Sequence, residues 1–190
     1  MNITKTMTLE PKTIENVGAI SSQILQTTQK KLGLIPNMYL GMANNTALLD
    51  GYVSAYNSFR TNSGFSPQEQ EVIFLSIAYE NGCEYCMAAH SFVGDNMTKV
   101  PTELTNAIRN NTEIPHEKFK ALSLFSRAVT VKRGLPSETD IFDFINAGYN
   151  ENHILGIIAA VGIKTMSNYF NHIFKTPVDD AFKSRIWKKH

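Results

Sequence analysis

The chain holds only two cysteines, Cys83 and Cys86, in the run Glu80-Asn81-Gly82-Cys83-Glu84-Tyr85-Cys86-Met87-Ala88-Ala89-His90. Asn81-Gly82 reads as the end of one helix and Cys83 as the opening of the next. The spacings of three and four then put Cys83, Cys86 and His90 along one helical face. A C-x-x-C pair serves disulfide frameworks, metal sites or redox dithiols. A chain of 190 residues can bury a core without cross-links, and a staple across two intervening residues would constrain almost nothing in the unfolded state. Structural zinc needs four ligands, usually from two paired motifs, and no second cysteine pair exists; a mixed site with His90 and His172 is the weaker alternative.

The stronger reading is a redox-active dithiol. A thiolate in the first turn of a helix is stabilised by unpaired backbone N–H groups and by the macrodipole. A histidine four residues after Cys86 can take its proton or hold the thiolate as an ion pair, which makes Cys86 the better attacking sulfur. Cys83 is placed to attack a sulfenic acid on Cys86 and release water as a disulfide closes.

Around this cluster the chain reads as all α-helical, because helix punctuation recurs while alternating strand-like runs are scarce. Ser66-Pro67-Gln68-Glu69 supplies a cap, a first-position proline and a capping box, and predicts a helix from there to about Glu80, stopped by Asn81-Gly82. Pro115 opens an amphipathic helix that Lys132-Arg133-Gly134 ends. Ser137 caps a shorter one, and Asn150 begins a long one reaching about Phe174. Ile20–Lys31 and Ala47–Phe59 are helical, with a turn at Leu34-Ile35-Pro36-Asn37. The apolar run Ile154–Ile163, with Gly156 and Gly162 as small contact points, is expected to cross the middle of the core. Asn168, Asn171 and His172 follow it on one face and are candidates to line a pocket. A shift of 82 residues lays Asn168 on Cys86 and His172 on His90, which hints at a pseudo-repeat of helix pairs.

With 18 Lys+Arg against 17 Asp+Glu, the charge balance gives no nucleic-acid footprint. The basic tail Phe182–His190, with Lys183, Arg185, Lys188 and Lys189, reads as a solvated or subunit-docking end and is assigned no function. Met1–Met7 shows no charged leader and no apolar run long enough to span a membrane occurs, so the expectation is a soluble, cytoplasmic protein without membrane contact. Length and the lack of a polar linker predict a single domain over 1–190, with an N-terminal helical segment at about 1–60 and a core at 66–176.

The pattern Glu71-x11-Cys83-x2-Cys86-x3-His90 resembles the alkylhydroperoxidase AhpD-like branch of the carboxymuconolactone decarboxylase superfamily. Leu32–Met38 with Met42-Ala43-Asn44-Asn45 and Leu48-Leu49 looks like that family's entry segment, and Asn168-Tyr169-Phe170-Asn171-His172 like its C-terminal Asn/His segment. The resemblance implies an all-helical AhpD-like bundle in a trimer or hexamer. It makes Cys86 peroxidatic and Cys83 resolving, with Glu71 and His90 as a proton relay; by itself Glu71 would read as a solvated helix glutamate. It implies a small hydroperoxide substrate and a lipoyl-type or other external dithiol reductant, with no bound cofactor and no metal. One departure stands out: the family's better-studied members carry histidine before the second cysteine, where this chain has Tyr85. Tyr85 can donate to substrate or simply pack.

The leading expectation is therefore a thiol peroxidase. General dithiol-disulfide exchange needs the same cysteines without the Glu71 relay. A lactone decarboxylase of the kind that names the superfamily works without the thiol pair. A redox sensor or zinc clamp is the non-enzymatic alternative. Phe59, Met87, Phe92 and Phe170 are aromatic or apolar candidates for a pocket wall, most of them expected in the core.

Overall fold

The computed structural model describes residues 7–189. Met1 to Thr6, which carry most of the start read for a leader, and the last residue of the basic tail lie outside the described residues. Among the described residues there are nine α-helices and no strand: α1 (Ala19–Leu32), α2 (Asn37–Met42), α3 (Thr46–Asn62), α4 (Pro67–Asn81), α5 (Glu84–Val93), α6 (Thr102–Asn110), α7 (Glu117–Val131), α8 (Glu138–Asn146) and α9 (Glu151–Phe174).

The central element is α4. Ser66 accepts from the Glu69 backbone N–H while Glu69 returns to the Ser66 N–H at 2.8 Å, the reciprocal box that fixes where the helix starts. From Gln70 to Ala78 every residue of α4 is buried, so the helix has no solvent face. α5, α6, α7 and α9 pack round it. The polar groups it carries inward are satisfied: Gln70 bonds Arg60 O and Phe65 O, and Ser76 bonds Val72 O and Ser123 Oγ. α4 ends on Gly82 at φ 68, a left-handed cap that a side chain would strain.

The expected central helix is not central. α9 buries one stripe against α4 and leaves Leu155 63 % and Ile158 55 % exposed, because its apolar residues run round the whole cylinder while only one side has neighbours. Of its two small contact points, Gly156 lies under Phe65, where a Cβ would meet the ring at 2.9 Å, and Gly162 has open space beside it. The 82-residue shift relates the α4–α5 pair to the single uninterrupted α9.

Two helices lie where the sequence reading has none. α2 follows the Pro36 turn, and α6 follows Pro101 with an apolar stripe of only Leu104, Ala107 and Ile108. A short π-helical turn, Gly94–Thr98, carries α5 on towards α6.

The basic tail is not wholly solvated. It folds back as a strap over α5 and α6, burying Phe182 and Trp187. Arg185 pairs with Asp95 at 3.0 Å, Trp187 Nε1 donates to Arg109 O at 2.8 Å and Lys189 donates to Glu80 O at 3.1 Å. Charge and aromatic anchors in the tail find partners on its own chain.

Two leucines separate the roles of α4 and α9. Leu75→Ala in α4 should cost about 2–5 kcal/mol, since it opens a cavity at a fully buried position. Leu155→Ala on the exposed side of α9 should stay within about 0.5 kcal/mol. Urea unfolding of the two variants checks this; equal losses would contradict the placement.

Candidate active site

The site is built where α4 hands over to α5. Gly82 turns the chain, the Cys83 N–H reaches back to Ala78 O at 2.9 Å, and Cys83 becomes the N-cap of α5 rather than its first helical residue. Its Sγ accepts from the Cys86 backbone N–H at 3.4 Å, so Cys86 lies in the first turn of α5, at the positive end of the helix. The two cysteines approach to 3.2 Å, and neither is oxidised.

α9 supplies the other wall. Asn168 Nδ2 donates to Cys86 Sγ at 3.0 Å and Asn171 Nδ2 at 3.3 Å, and Ser167 Oγ lies 3.9 Å away. Asn168 is oriented by Asn81, whose amide donates to its Oδ1 at 2.8 Å. Lys164 completes this polar stripe with spacings of three, four and seven, all on one buried side of α9. Of the three residues expected to share a pocket face, Asn168 and Asn171 reach the sulfur. His172 does not: one residue past Asn171, it is rotated out of the stripe to the exposed side.

Burial opposes charge on Cys86, but the hydrogen bond from Cys83, the charges of Lys164 and His90 and the contact with Ser167 outweigh it, and the thiol ionises well below the usual range. Cys83 moves the other way. Its S–H is held by the Cys86 sulfur, and burial and the neighbouring thiolate add to that, so it keeps its proton. The two thiols are thus pushed in opposite directions, Cys86 down and Cys83 up.

Glu71 projects from α4 beneath α5 and is fully buried. One carboxylate oxygen contacts His90 Nδ1 at 2.8 Å and the other Arg60 Nη2 at 2.5 Å. Burial raises the carboxyl, but His90 and Arg60 more than offset it and hold it below the ordinary carboxylate value. His90 itself is lowered, by burial and by Lys164, against the pull of Glu71. The imidazole so placed has Nδ1 on the carboxylate, which leaves Nε2 for proton exchange. Arg60 is fixed in turn by Tyr56 Oη at 2.6 Å and Gln70 Oε1 at 3.0 Å.

Tyr85 stands between the cysteines in sequence but faces away from them. Its Oη donates to Asp179 Oδ2 at 2.6 Å and its ring meets Phe182 edge-on, so it anchors the strap. Asp179 Oδ1 also accepts from the Asn37 N–H at 2.9 Å, tying strap, α2 and α5 together. Phe59 lies in a groove between α3 and α9, Met87 is core, Phe92 packs on Phe182, and Phe170 packs on Phe174 and over Gly41. With Cys86 2 % and Cys83 0 % exposed, a bulky reagent reaches the sulfurs only through local opening.

The structure brings Cys83, Cys86, His90 and Glu71, all singled out in the sequence, together with Lys164, Ser167 and Arg60, which the sequence reading does not name. The signal for Lys164 and Ser167 was present: four polar residues spaced i, i+3, i+4, i+7 inside an otherwise apolar helix. Arg60 carried no local signal.

The depressed thiol gives stability a definite pH dependence. Between the folded and unfolded ionisation points of Cys86, the unfolded chain holds a proton that the folded chain has released, so stability rises with pH across that window and is lost as pH falls through the folded value. His90, held below the ordinary imidazole value, acts with the same sign in mildly acid solution. The unfolding free energy of the reduced protein should therefore fall on acidification from mildly alkaline pH, and Cys86→Ser should flatten the thiol part of that slope. Identical slopes for the two proteins would rule out a buried thiolate.

No family model and no curated protein matches the chain. Solved structures do. An AhpD-core, uncharacterized peroxidase-related protein from Ralstonia eutropha JMP134 superimposes with a TM-score of 0.83 at 19 % identity, over 95 % of this chain and 97 % of that one. An uncharacterized peroxidase-related protein from Silicibacter sp. TM1040 gives 0.78 at 19 % identity, over 94 % and 99 %. The debrominase Bmp8 in its apo form gives 0.76 at 17 % identity, over 92 % and 94 %. The helices, their order and their packing round α4 are those of the AhpD-like fold.

Proposed function

We propose that this protein is a thiol-dependent peroxidase acting on small hydroperoxides. The observation that supports the reading is the asymmetry around the dithiol: two amide donors from α9 are aimed at Cys86 Sγ, and Cys83 lies 3.2 Å away as the nearby second thiol. In the first step the Cys86 thiolate attacks the distal oxygen of ROOH and the O–O bond breaks. The sulfur is oxidised to sulfenic acid, and the alkoxide leaves with the bonding pair and takes a proton from solvent water, delivered through Nε2 of the Glu71-oriented His90, to become ROH. Cys83 then attacks the Cys86 sulfur, an S–S bond forms, and the hydroxyl departs as water with the Cys83 proton. A lipoyl-type or other external dithiol returns the pair to the reduced state. The burial of both sulfurs supports a small peroxide in preference to a bulky one.

Two further readings have their own support. The dithiol alone would serve disulfide exchange, in which Glu71 has no part. Reductive dehalogenation is suggested by the fold-level likeness to Bmp8, a cysteine-to-alanine variant of which has been solved with 2,3,4-tribromopyrrole. Self-association finds its support in the apolar groove of about 460 Å³ between α3 and α9, lined by Phe59, Leu155, Gly156, Ala159 and Met166.

The test is thiol counting by mass spectrometry before and after one equivalent of an organic hydroperoxide. Wild type should close the Cys83–Cys86 disulfide, Cys83→Ser should trap a sulfenic acid on Cys86, and Cys86→Ser should leave peroxide unconsumed. Glu71→Gln should slow peroxide reduction by roughly 10²–10⁴-fold, as loss of a proton-transfer partner does. Thiols that survive the hydroperoxide unchanged would sink the peroxidase reading, and bromide release from a brominated pyrrole under reducing conditions would then favour the dehalogenase one.

A further inference from the structure

Lys164 is the one charged group at this site to which the chemistry above gives no task. It is fully buried, its Nζ has no hydrogen-bond partner, and it lies 5.4 Å from the centroid of the Phe74 ring. A buried ammonium without a hydrogen bond is costly and persists only where an anion offsets it. The elements packed against α9 offer few candidates. α2 and α7 turn apolar and hydroxyl groups inward, with Met38, Met42, Ser123 and Ser126 among them. α3 brings Tyr52, Tyr56 and Arg60, and α4 brings Glu71, whose two carboxylate oxygens are already taken by Arg60 and His90. α5 brings His90, Cys83 and Cys86. The sulfur of Cys86, which accepts from Asn168 and Asn171 on the same stripe of α9, is the anion that remains.

We propose that Lys164 is the fixed counter-charge of the Cys86 thiolate and thereby sets the redox poise of the Cys83/Cys86 couple, biasing it towards the reduced dithiol. The field of Lys164 reaches Cys86, Cys83 and His90, lowering the ionisation point of each. Oxidation converts the thiolate and the Cys83 thiol into a neutral disulfide and leaves the ammonium without its anion. A couple whose reduced form is stabilised in this way is a stronger oxidant, so the disulfide is primed to accept electrons from an external dithiol. Lys164 is a positioning residue in this scheme: it touches neither peroxide nor reductant. The inference rests on the dithiol part of the proposed function and is independent of which oxidant closes the disulfide.

The experiment equilibrates wild type and Lys164→Met with glutathione redox buffers and reads the oxidised fraction by mass spectrometry. In the exchange, the Cys86 thiolate and the Cys83 thiol give two electrons and one proton to oxidised glutathione, whose S–S bond breaks to one glutathione thiol and one thiolate as the protein S–S bond forms. Methionine fills the same space, and no hydrogen bond is lost with Nζ. Disulfide formation should become at least about tenfold more favourable in Lys164→Met, equivalent to roughly 30 mV for a two-electron couple. A second reading needs wild type alone: disulfide closure should lower its melting temperature, because it strands a buried charge. An unshifted equilibrium in folded Lys164→Met, or a wild-type melting temperature that rises on oxidation, overturns the proposal. If the equilibrium shifts while hydroperoxide is not consumed, the peroxidase reading fails and this one stands; an unshifted equilibrium with peroxide reduction intact does the reverse.

Discussion

A sulfur buried between two helices, with amide donors aimed at it, is the constraint on which this structure turns. Burial alone would keep Cys86 protonated, and the opposing contributions come from separate parts of the chain: the N-terminal turn of α5, the Cys83 S–H, the amides of Asn168 and Asn171, and the charge of Lys164. None of these would suffice alone, since each acts on an atom that the other elements have removed from water. The thiolate therefore depends on α9 being locked against the α4–α5 junction, and on Asn81 at the end of α4 holding Asn168 in the orientation that points its N–H at sulfur.

The second charged group obeys the same logic. Glu71 is buried in α4, where a lone carboxylate would be expensive, and it is neutralised from opposite sides by Arg60 of α3 and His90 of α5. Arg60 in turn stacks against Tyr56 and Phe74 and bonds Gln70, so its guanidinium is fixed before it meets the carboxylate. The two buried anions, Glu71 and Cys86, are thus matched by Arg60 and Lys164, with His90 between them as the group that can gain or lose a proton. Such matching explains why charged side chains can occupy the side of α4 and α9 that would otherwise be hydrocarbon.

The strap gives the outer boundary. Tyr85, between the two cysteines in sequence, closes a hydrogen bond to Asp179 that pins residues beyond α9 over α5. It acts as a structural anchor, and His90 is the imidazole that meets Glu71.

Much of this was legible locally. The capping box at Ser66–Glu69, the glycine stop at Gly82 and the caps at Ser137 and Asn150 are short-range backbone chemistry, and the helices begin and end where those residues require. The dithiol with its histidine was legible because all three lie within one turn or two of the same helix. Other features were decided by packing. Which of two apolar helices is central depends on whether its neighbours enclose every side: α4 is buried without a break from Gln70 to Ala78, whereas α9 keeps Leu155 and Ile158 exposed. The α9 stripe was half visible: periodicity marks 164, 167, 168 and 171 as one side, but whether that side meets sulfur or water, and hence that His172 is excluded, is fixed only by the docking of α9. Arg60 and the strap residues carry long-range pairings, 11 residues in sequence for Arg60–Glu71 and 94 for Tyr85–Asp179. By itself the sequence determined the helices and the sulfur pair, because those follow from hydrogen bonds between near neighbours. Only the tertiary structure decided which distant groups surround the favoured sulfur, because Asn168, Asn171 and Lys164 reach the site through the docking of α9.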